Sequence, residues 1–532
     1  MRIRTLLQAL RRPALGRRVA AAAALAVAGL GATACNNDVD ITDPNAPGSG
    51  TFWVNREAAD AGVVAVYNGL LRLGTGQRWW AFGNDLRSDI GTVVSPWGEL
   101  QAFSRFQFPS GYDFEVNREL WIHNYELIQR ANQVTANVPA IQMADTTKNR
   151  MLGEAQFLRG MAYFNLITLF GGNIPLVLDP QTAQDRPAAS DSATVFARIE
   201  TDLSFAAANL PRRLTSASGG RATAGAAQGL LGKVQLQQRK WPQAAATLLP
   251  VVNGQYGAYA LVNDYGSLFR QEGNNGPESL FEIQMGNVNT CTGAAPGVAL
   301  CGNNVAKMVG PCGPSYCDGR PTRWYFDTFR EERTTDNQVD PRLNATIFYY
   351  RGDTTMVYNR TWRAWRDSTN RNAAGQFEPN AAYTDTTRIY WKKYGEYYTG
   401  SNDQLWEAQI NPKVLRFADV LLMYAEALNE QGQPAQAAEF VNRVRARARL
   451  RPLAGLSQAA MREAILRERA LEFGLEGQRW RDLGRQNLFA NLAELRRRDP
   501  DFNGFEAGKS VVLPIPQREV NLNPNLRQNP NY

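Results

Sequence analysis

The residues best equipped for chemistry in this chain lie where helical periodicity is absent. Trp79, Trp80, Asp85, Asp89 and Trp97 fall within GQRWWAFGNDLRSDIGTVVSPWGEL. Tyr316, Arg320, Arg323, Trp324 and Tyr325 follow a cysteine-bearing loop, and Tyr358, Trp362, Trp365, Tyr390 and Trp391 make a third group. Rings beside carboxylates and guanidinium groups suit a ligand with an apolar face and a polar edge: the rings supply area and the polar groups fix orientation. Trp97 is the best single candidate, because Ser95-Pro96 before it and Gly98 after it place it on a turn. Trp121, Trp241 and Trp480 lie on helical stretches and read as packing.

Catalytic chemistry has fewer carriers. Asp85 and Asp89 stand at i,i+4 if their segment is helical. A glycoside hydrolase needs two carboxyls about 5–5.5 Å apart to retain configuration or about 6.5–9.5 Å apart to invert it. A nucleophilic triad would have to use His123, the only histidine. It stands beside the apolar line Leu120, Leu127, Ala131 and Val134, which marks it as structural. Zinc would need CxxC pairs or a histidine near the cysteines, and neither is present, so no metal and no cofactor are expected.

The cysteines divide into one and four. Cys35 follows six arginines in residues 1–18 and an Ala/Val/Leu run from Val19 to Leu30, the pattern of an export signal. The run is shorter than the about 20 residues a membrane span requires. Ala32-Thr33-Ala34-Cys35 resembles a bacterial lipobox, with Ala32 where leucine is usual. That resemblance implies cleavage before Cys35 and acylation of its thiol. Cys291, Cys301, Cys312 and Cys317 all fall in a Gly-, Asn- and Pro-rich loop. In an exported chain they read as two disulfides. Three connectivities are open; Cys291–Cys301 with Cys312–Cys317 closes the shortest loops. The formal charge of +8 falls to +2 once the six arginines of the signal are set aside. The mature part has no basic run with interleaved aromatics, so no nucleic-acid partner is expected.

Helices must position these loops. Asn55 caps a helix carrying Ala59, Val63, Val66, Tyr67 and Leu70, which Gly74 and Gly76 are expected to end. Further helices are predicted over 119–137, 149–170 and 191–209, stopped by Pro139, Gly171-Gly172 and Pro211. Two later stretches repeat one spacing. Gly232 is followed twelve and sixteen residues on by Ala244 and Leu248, and Ala425 by Ala437 and Val441. Small residues that let paired helices approach, with a larger apolar residue filling the groove, are the tetratricopeptide pattern. Residues 255–411 read as loop, with short strands over Ser279–Met285 and Ala345–Tyr350. A last helix runs from Ser457 to Phe473 with a favourable Glu463–Arg467 pair. An extended tail rich in Pro and Asn follows.

With these stretches in hand, the chain resembles the SusD/RagB family of outer-membrane nutrient-binding lipoproteins. The likeness rests on GEAQFLRGMAYFNLITLFGGNIPLVL, GRATAGAAQGLLGKVQLQQRKW, DPRLNATI, LRFADVLLMYAEALNEQG, AILRERALEFGLEGQRWRDLGR and LPIPQREVNLNPNLRQNPNY, in that order. The resemblance implies a mainly α fold: tetratricopeptide-like helix pairs with a large irregular insertion packed on them. It further implies a cell-surface protein lipid-anchored to the outer membrane, partnered with a SusC-like TonB-dependent transporter. Such a protein captures an oligosaccharide, or sometimes a peptide, and does not alter it. A sugar ring, apolar on its CH face and polar at its edge, is the ligand the aromatic loops would suit. The expected organisation is a signal over 1–34, a flexible tether over 35–51, a helical scaffold over 52–254, the loop-rich insertion over 255–411, and completing helices and tail over 412–532. Two alternatives stand beside it: a secreted glycoside hydrolase, and an envelope scaffold that binds peptides in its helical grooves.

Overall fold

A computed structural model describes residues 52–212, 219–286, 301–312, 315–350, 352–357, 359–364, 388–398 and 408–532. The signal, Cys35, the tether, Cys291, Tyr358 and Trp365 lie outside the described residues. Residues 55–532 form one compact unit.

The frame is a succession of helices: α1 (Arg56–Asn68), α2 (Glu115–Asn137), α3 (Asp145–Phe170), α4 (Ser192–Asn209), α5 (Ala224–Gln237) and α6 (Trp241–Val252), then α7 (Phe417–Glu430), α8 (Pro434–Arg447), α9 (Gln458–Phe473) and α10 (Arg479–Arg485). Each packs on its successor, and α6 meets α7 across the whole insertion. The N-termini are capped as the sequence requires. Asn55, Asp191, Thr223 and Ser457 accept from the backbone amides of Ala58, Thr194, Ala226 and Ala460.

The repeated spacing has a direct packing meaning. Ala244, Leu248, Ala425, Ala437 and Val441 are all fully buried in one apolar cluster. A Cβ placed on Gly232 would lie 2.5 Å from Leu248 Cδ2, so only glycine leaves room for that side chain. The two tetratricopeptide-like pairs, α5–α6 and α7–α8, therefore share one core.

One expected helix end differs. α1 stops at Asn68, and the chain continues through a 3-10 turn, Gly69–Leu71, and a π turn, Leu73–Gln77. Gly74 and Gly76 lie inside the π turn. A Cβ on Gly74 would fall 1.9 Å from the Glu119 carbonyl oxygen, and one on Gly76 2.4 Å from that of Leu70. These glycines mark a close crossing of backbones, not a helix stop. His123 serves the same crossing. Its Nδ1 accepts from the Gly74 amide at 3.0 Å, its Nε2 lies 3.1 Å from Glu119, and burial pushes its pKa down to about 4. Neutral imidazole is thus a structural part.

Four short strands matter to the site and its support: β1 (Gly91–Val93), β2 (Ser279–Glu282), β3 (Gly319–Pro321) and β4 (Lys413–Arg416). β2 pairs antiparallel with β4, and β1 with β3. The expected strand over 345–350 is short, Ile347–Phe348, and pairs with Tyr390–Trp391.

Behind the strands lies a buried ionic web. Arg416 on β4 reaches Glu278, Glu472 and Glu476; Arg342 reaches Asp340, Glu468 and Glu472; Arg447 reaches Glu278 and Glu472. A second set joins Lys233, Asp419, Arg469, Asp482, Arg485 and Glu426 at 2.6–2.9 Å. Desolvation alone would raise the Glu472 pKa, but Arg447, Arg416 and Arg342 bring it well below the usual carboxylate range. Such webs add little net stability over apolar packing, yet losing one partner costs about 3–5 kcal/mol. They fix how the insertion sits on α8 and α9. The expected Glu463–Arg467 pair does not form: Arg467 turns to Glu331 and the Thr328 carbonyl.

Candidate functional site

The β1–β3 pair joins the first two aromatic groups at one place. Thr92 stands opposite Arg320, and beyond the strand ends the Val94 amide donates to the Asp318 carbonyl at 2.7 Å. The loop carrying Trp97 and the turn carrying Tyr316 therefore leave the ladder side by side.

Trp97 is 38 % exposed. It is the N-cap residue of a short helix, Gly98–Ser104, and its amide bonds to the Ser95 hydroxyl at 3.2 Å. Phe114 meets the ring edge-on at a centroid distance of 4.9 Å, which holds it without covering it. Tyr316 is 53 % exposed, with Lys307 Nζ 5.3 Å from its ring centroid. Beneath them sit polar groups that the sequence reading did not single out. Asp318 is buried; burial raises its pKa against a hydrogen bond from Ser95 and the charge of Arg78. Burial lowers the Arg78 pKa, opposed by Glu115, Tyr316 and Asp318. Arg78 Nε donates to Asn304 at 3.1 Å. Arg78 and Asp318 are unremarkable in sequence, and the long-range pairing of β1 with β3 brings Asp318 to Ser95 and Arg78.

The remaining candidates are placed differently. Asp85 and Asp89 are 0 % exposed. Asp85 accepts from the amides of Gly477 and Arg479 at 2.6 and 3.1 Å. Asp89 takes a bidentate pair from Arg479, both contacts at 2.7 Å, and a third from Arg498 at 2.9 Å. As ligand contacts, or as the acid and base of a hydrolase, both are withdrawn: neither faces solvent, and each is committed to the α9–α10 connection or α10. Trp79 is buried with its ring edge-on to Phe82. Trp80 is half-buried, donating to the Gly76 carbonyl and packing against Tyr394. Tyr325 is fully buried against Phe329 and Trp391. Trp324 is half-buried, with the guanidinium of Arg498 4.4 Å from its ring centroid. Arg323 is exposed and pairs with Asp327. Arg320 is half-buried over Tyr390. Of the third group, Trp362, Tyr390 and Trp391 are core residues. Trp79 and Tyr325 are thus corrected from ring platforms to packing, because both are fully buried, whereas Trp80 is half-buried beside Asn84 and Gly477.

Cys312 and Cys317 form a disulfide, and Cys301 is disulfide-bonded as well.

The helical frame agrees with what known proteins show. Residues 277–532 match the SusD family, and residues 86–236 match the family described as starch-binding, associating with outer membrane. SusD-like protein P2 of Formosa agariphila is 28% identical over 449 residues, covering 80% of this chain and 82% of that protein. A SusD-like protein of Bacteroides ovatus is 26% identical over 463 residues, 81% of this chain and 76% of its own. Among solved structures, a laminarin-binding SusD-like protein superposes with a TM-score of 0.72 at 28% identity, over 90% of this chain and 100% of that one. A SusD superfamily protein from Bacteroides vulgatus shares the fold, with a TM-score of 0.76 at 24% identity, over 91% and 100% of the two chains. The chain belongs to the SusD family. A surface glycan-binding protein of Bacteroides fluxus shares the fold too, with a TM-score of 0.71 at 21% identity, over 90% of this chain and 100% of that one. SusD-family proteins are cell-surface lipoproteins, and among the described residues no helix is long and apolar enough to cross a membrane.

Proposed function

We propose that this protein captures a glycan at the cell surface, through Trp97 and Tyr316, and passes it to a SusC-like TonB-dependent transporter in the outer membrane, to which Cys35 anchors it by lipid. One observation carries the binding site: two large rings stand exposed on loops tied together by the Val94–Asp318 hydrogen bond. Sugar CH faces would stack on the rings, and Lys307, its Nζ 5.3 Å from the Tyr316 ring centroid, is the cation available to a sugar hydroxyl, while Asp318 and Arg78 support the loops from within. The laminarin-binding relative makes a β-glucan the first ligand to try.

Titration calorimetry of the mature protein with laminarin, maltooligosaccharides, xylooligosaccharides and peptides tests this. Covering about 60–80 Å² of one ring face at about 25 cal/mol/Å² is worth about 1.5–2 kcal/mol. Trp97→Ala and Tyr316→Ala should therefore each weaken the bound glycan about 10- to 30-fold. Affinity for none of these glycans, or unchanged affinity in both variants, removes the reading; release of shortened product would favour a hydrolase.

A further inference from the structure

Tyr316 is the penultimate residue of the loop closed by the Cys312–Cys317 disulfide. Cys317 holds φ +52°, a left-handed conformation unusual for a residue with a side chain. The residues on either side of it part company. Tyr316 faces solvent, whereas Asp318 turns inward to Ser95 and Arg78. Both neighbours are pinned to one short helix, Val305–Val309: the Tyr316 amide donates to Lys307 at 2.8 Å and the Asp318 amide to Met308 at 2.7 Å. A non-glycine residue persists in this region only when its surroundings over-determine it. Here the surroundings include those two hydrogen bonds, the Ser315 amide donating to the Pro311 carbonyl at 3.0 Å, and the covalent link to buried Cys312.

We propose that the Cys312–Cys317 bridge is the positioning device that aims Tyr316 at the glycan, so that the recognition surface is complete only with the bridge closed. This rests on the reading of Tyr316 as a ligand contact. With the link cut, Cys317 relaxes toward an ordinary conformation, and the ring swings away from its place beside the Trp97 loop. Ordering it again is then charged to binding. The two cysteines touch no ligand; they act through the tyrosine.

The test compares wild type with a Cys312→Ser/Cys317→Ser double variant, each with and without Tyr316→Ala. The first readout needs no glycan. Hydrogen exchange at the Tyr316 and Asp318 amides should quicken about tenfold or more in the double variant, while the helices stay protected. The second is calorimetry with laminarin. Losing the bridge should weaken binding about 3- to 10-fold with Tyr316 present. In the Tyr316→Ala background the same change should cost less than about 2-fold, the signature of a shared role. Should the double variant not accumulate, dithiothreitol opens the bridge in the folded wild type; two cysteine thiols form as the reagent closes its own disulfide, and the Tyr316→Ala background separates this bridge from the one at Cys301. Unchanged exchange overturns the proposal, and so does faster exchange with unchanged laminarin affinity. If wild type ignores laminarin, that ligand is wrong for the protein, and the exchange measurement alone decides whether the bridge aims the ring.

Discussion

Asp89→Ala separates a structural carboxylate from a ligand contact. Asp89 is fully buried and satisfies two arginines, Arg479 bidentately and Arg498 once. Removing it leaves the Arg479 guanidinium, whose side chain is 2 % exposed, with the Leu466 carbonyl as its hydrogen-bond acceptor and the Trp324 ring 5.8 Å away. Arg498 is less harmed, because it is partly exposed and keeps Glu494. Breaking one side of a buried pair costs about 3–5 kcal/mol, and the surviving contacts place this case near about 3 kcal/mol. Urea unfolding at pH 7, followed by tryptophan fluorescence, should show a clear fall in midpoint with an unchanged slope. Asp89→Asn, which keeps an acceptor, should lose less. The pH dependence has a definite sign. Burial alone would raise the Asp89 pKa, but Arg479 and Arg498 outweigh it and lower it. Its stabilisation is therefore fully present above the ordinary carboxylate range of about 4, and fades as pH falls through the depressed folded value. The gap between wild type and Asp89→Ala should narrow in acid. An unchanged midpoint would refute this reasoning. So would a folded, equally stable variant that has lost its glycan, since that would make Asp89 a ligand contact after all.

Gly74→Ala should lower the urea midpoint by the equivalent of about 2 kcal/mol or more, because its Cβ would meet the Glu119 backbone oxygen and no side chain can yield there. Burial raises the Asp85 pKa to about 7, against two amides that favour its ionised form. Its contribution to stability is fully present below about 4 and is lost as pH rises to about 7, so wild type should lose ground to Asp85→Asn across that window in urea titrations. Lys233→Met should cost about 3 kcal/mol in the same assay, since Asp419 would keep only Arg469 in a fully buried site. Each of these variants, once folded, should bind glycan like wild type in calorimetry.

The helices were legible because their signals are local. Asn55, Asp191 and Ser457 announce their caps within three residues, and the Gly232 and Ala425 spacings encode which helices touch. The ionic web was not, because helix α9 reads as an exposed charged helix. Nothing in RERALEF tells that Glu468, Arg469 and Glu472 face inward; their partners arrive from Arg342, Asp419 and Arg416. The site divides along the same line. Trp97 was legible from its turn, and Tyr316 from its place beside the cysteines. Asp85 and Asp89 look like loop carboxylates until Gly477, Arg479 and Arg498, about 390–410 residues away, claim them. Arg78 and Asp318 gave no sign, because their neighbourhood exists only once β1 meets β3.

The β1–β3 ladder also sets the bounds of the proposed ligand surface. The chain enters and leaves that surface at fixed points: Val93 and Gly319 are paired with each other, and Thr92 is further secured by Asp501. Ser95, Pro311, Cys312, Ser315 and Asp318 between those points are buried, so new side chains fit only at the exposed positions 94, 96–98 and 316. Under the proposed reading, new side chains at 94, 96, 97, 98 and 316 are the way to change the ligand while keeping the β1–β3 ladder and the frame behind it.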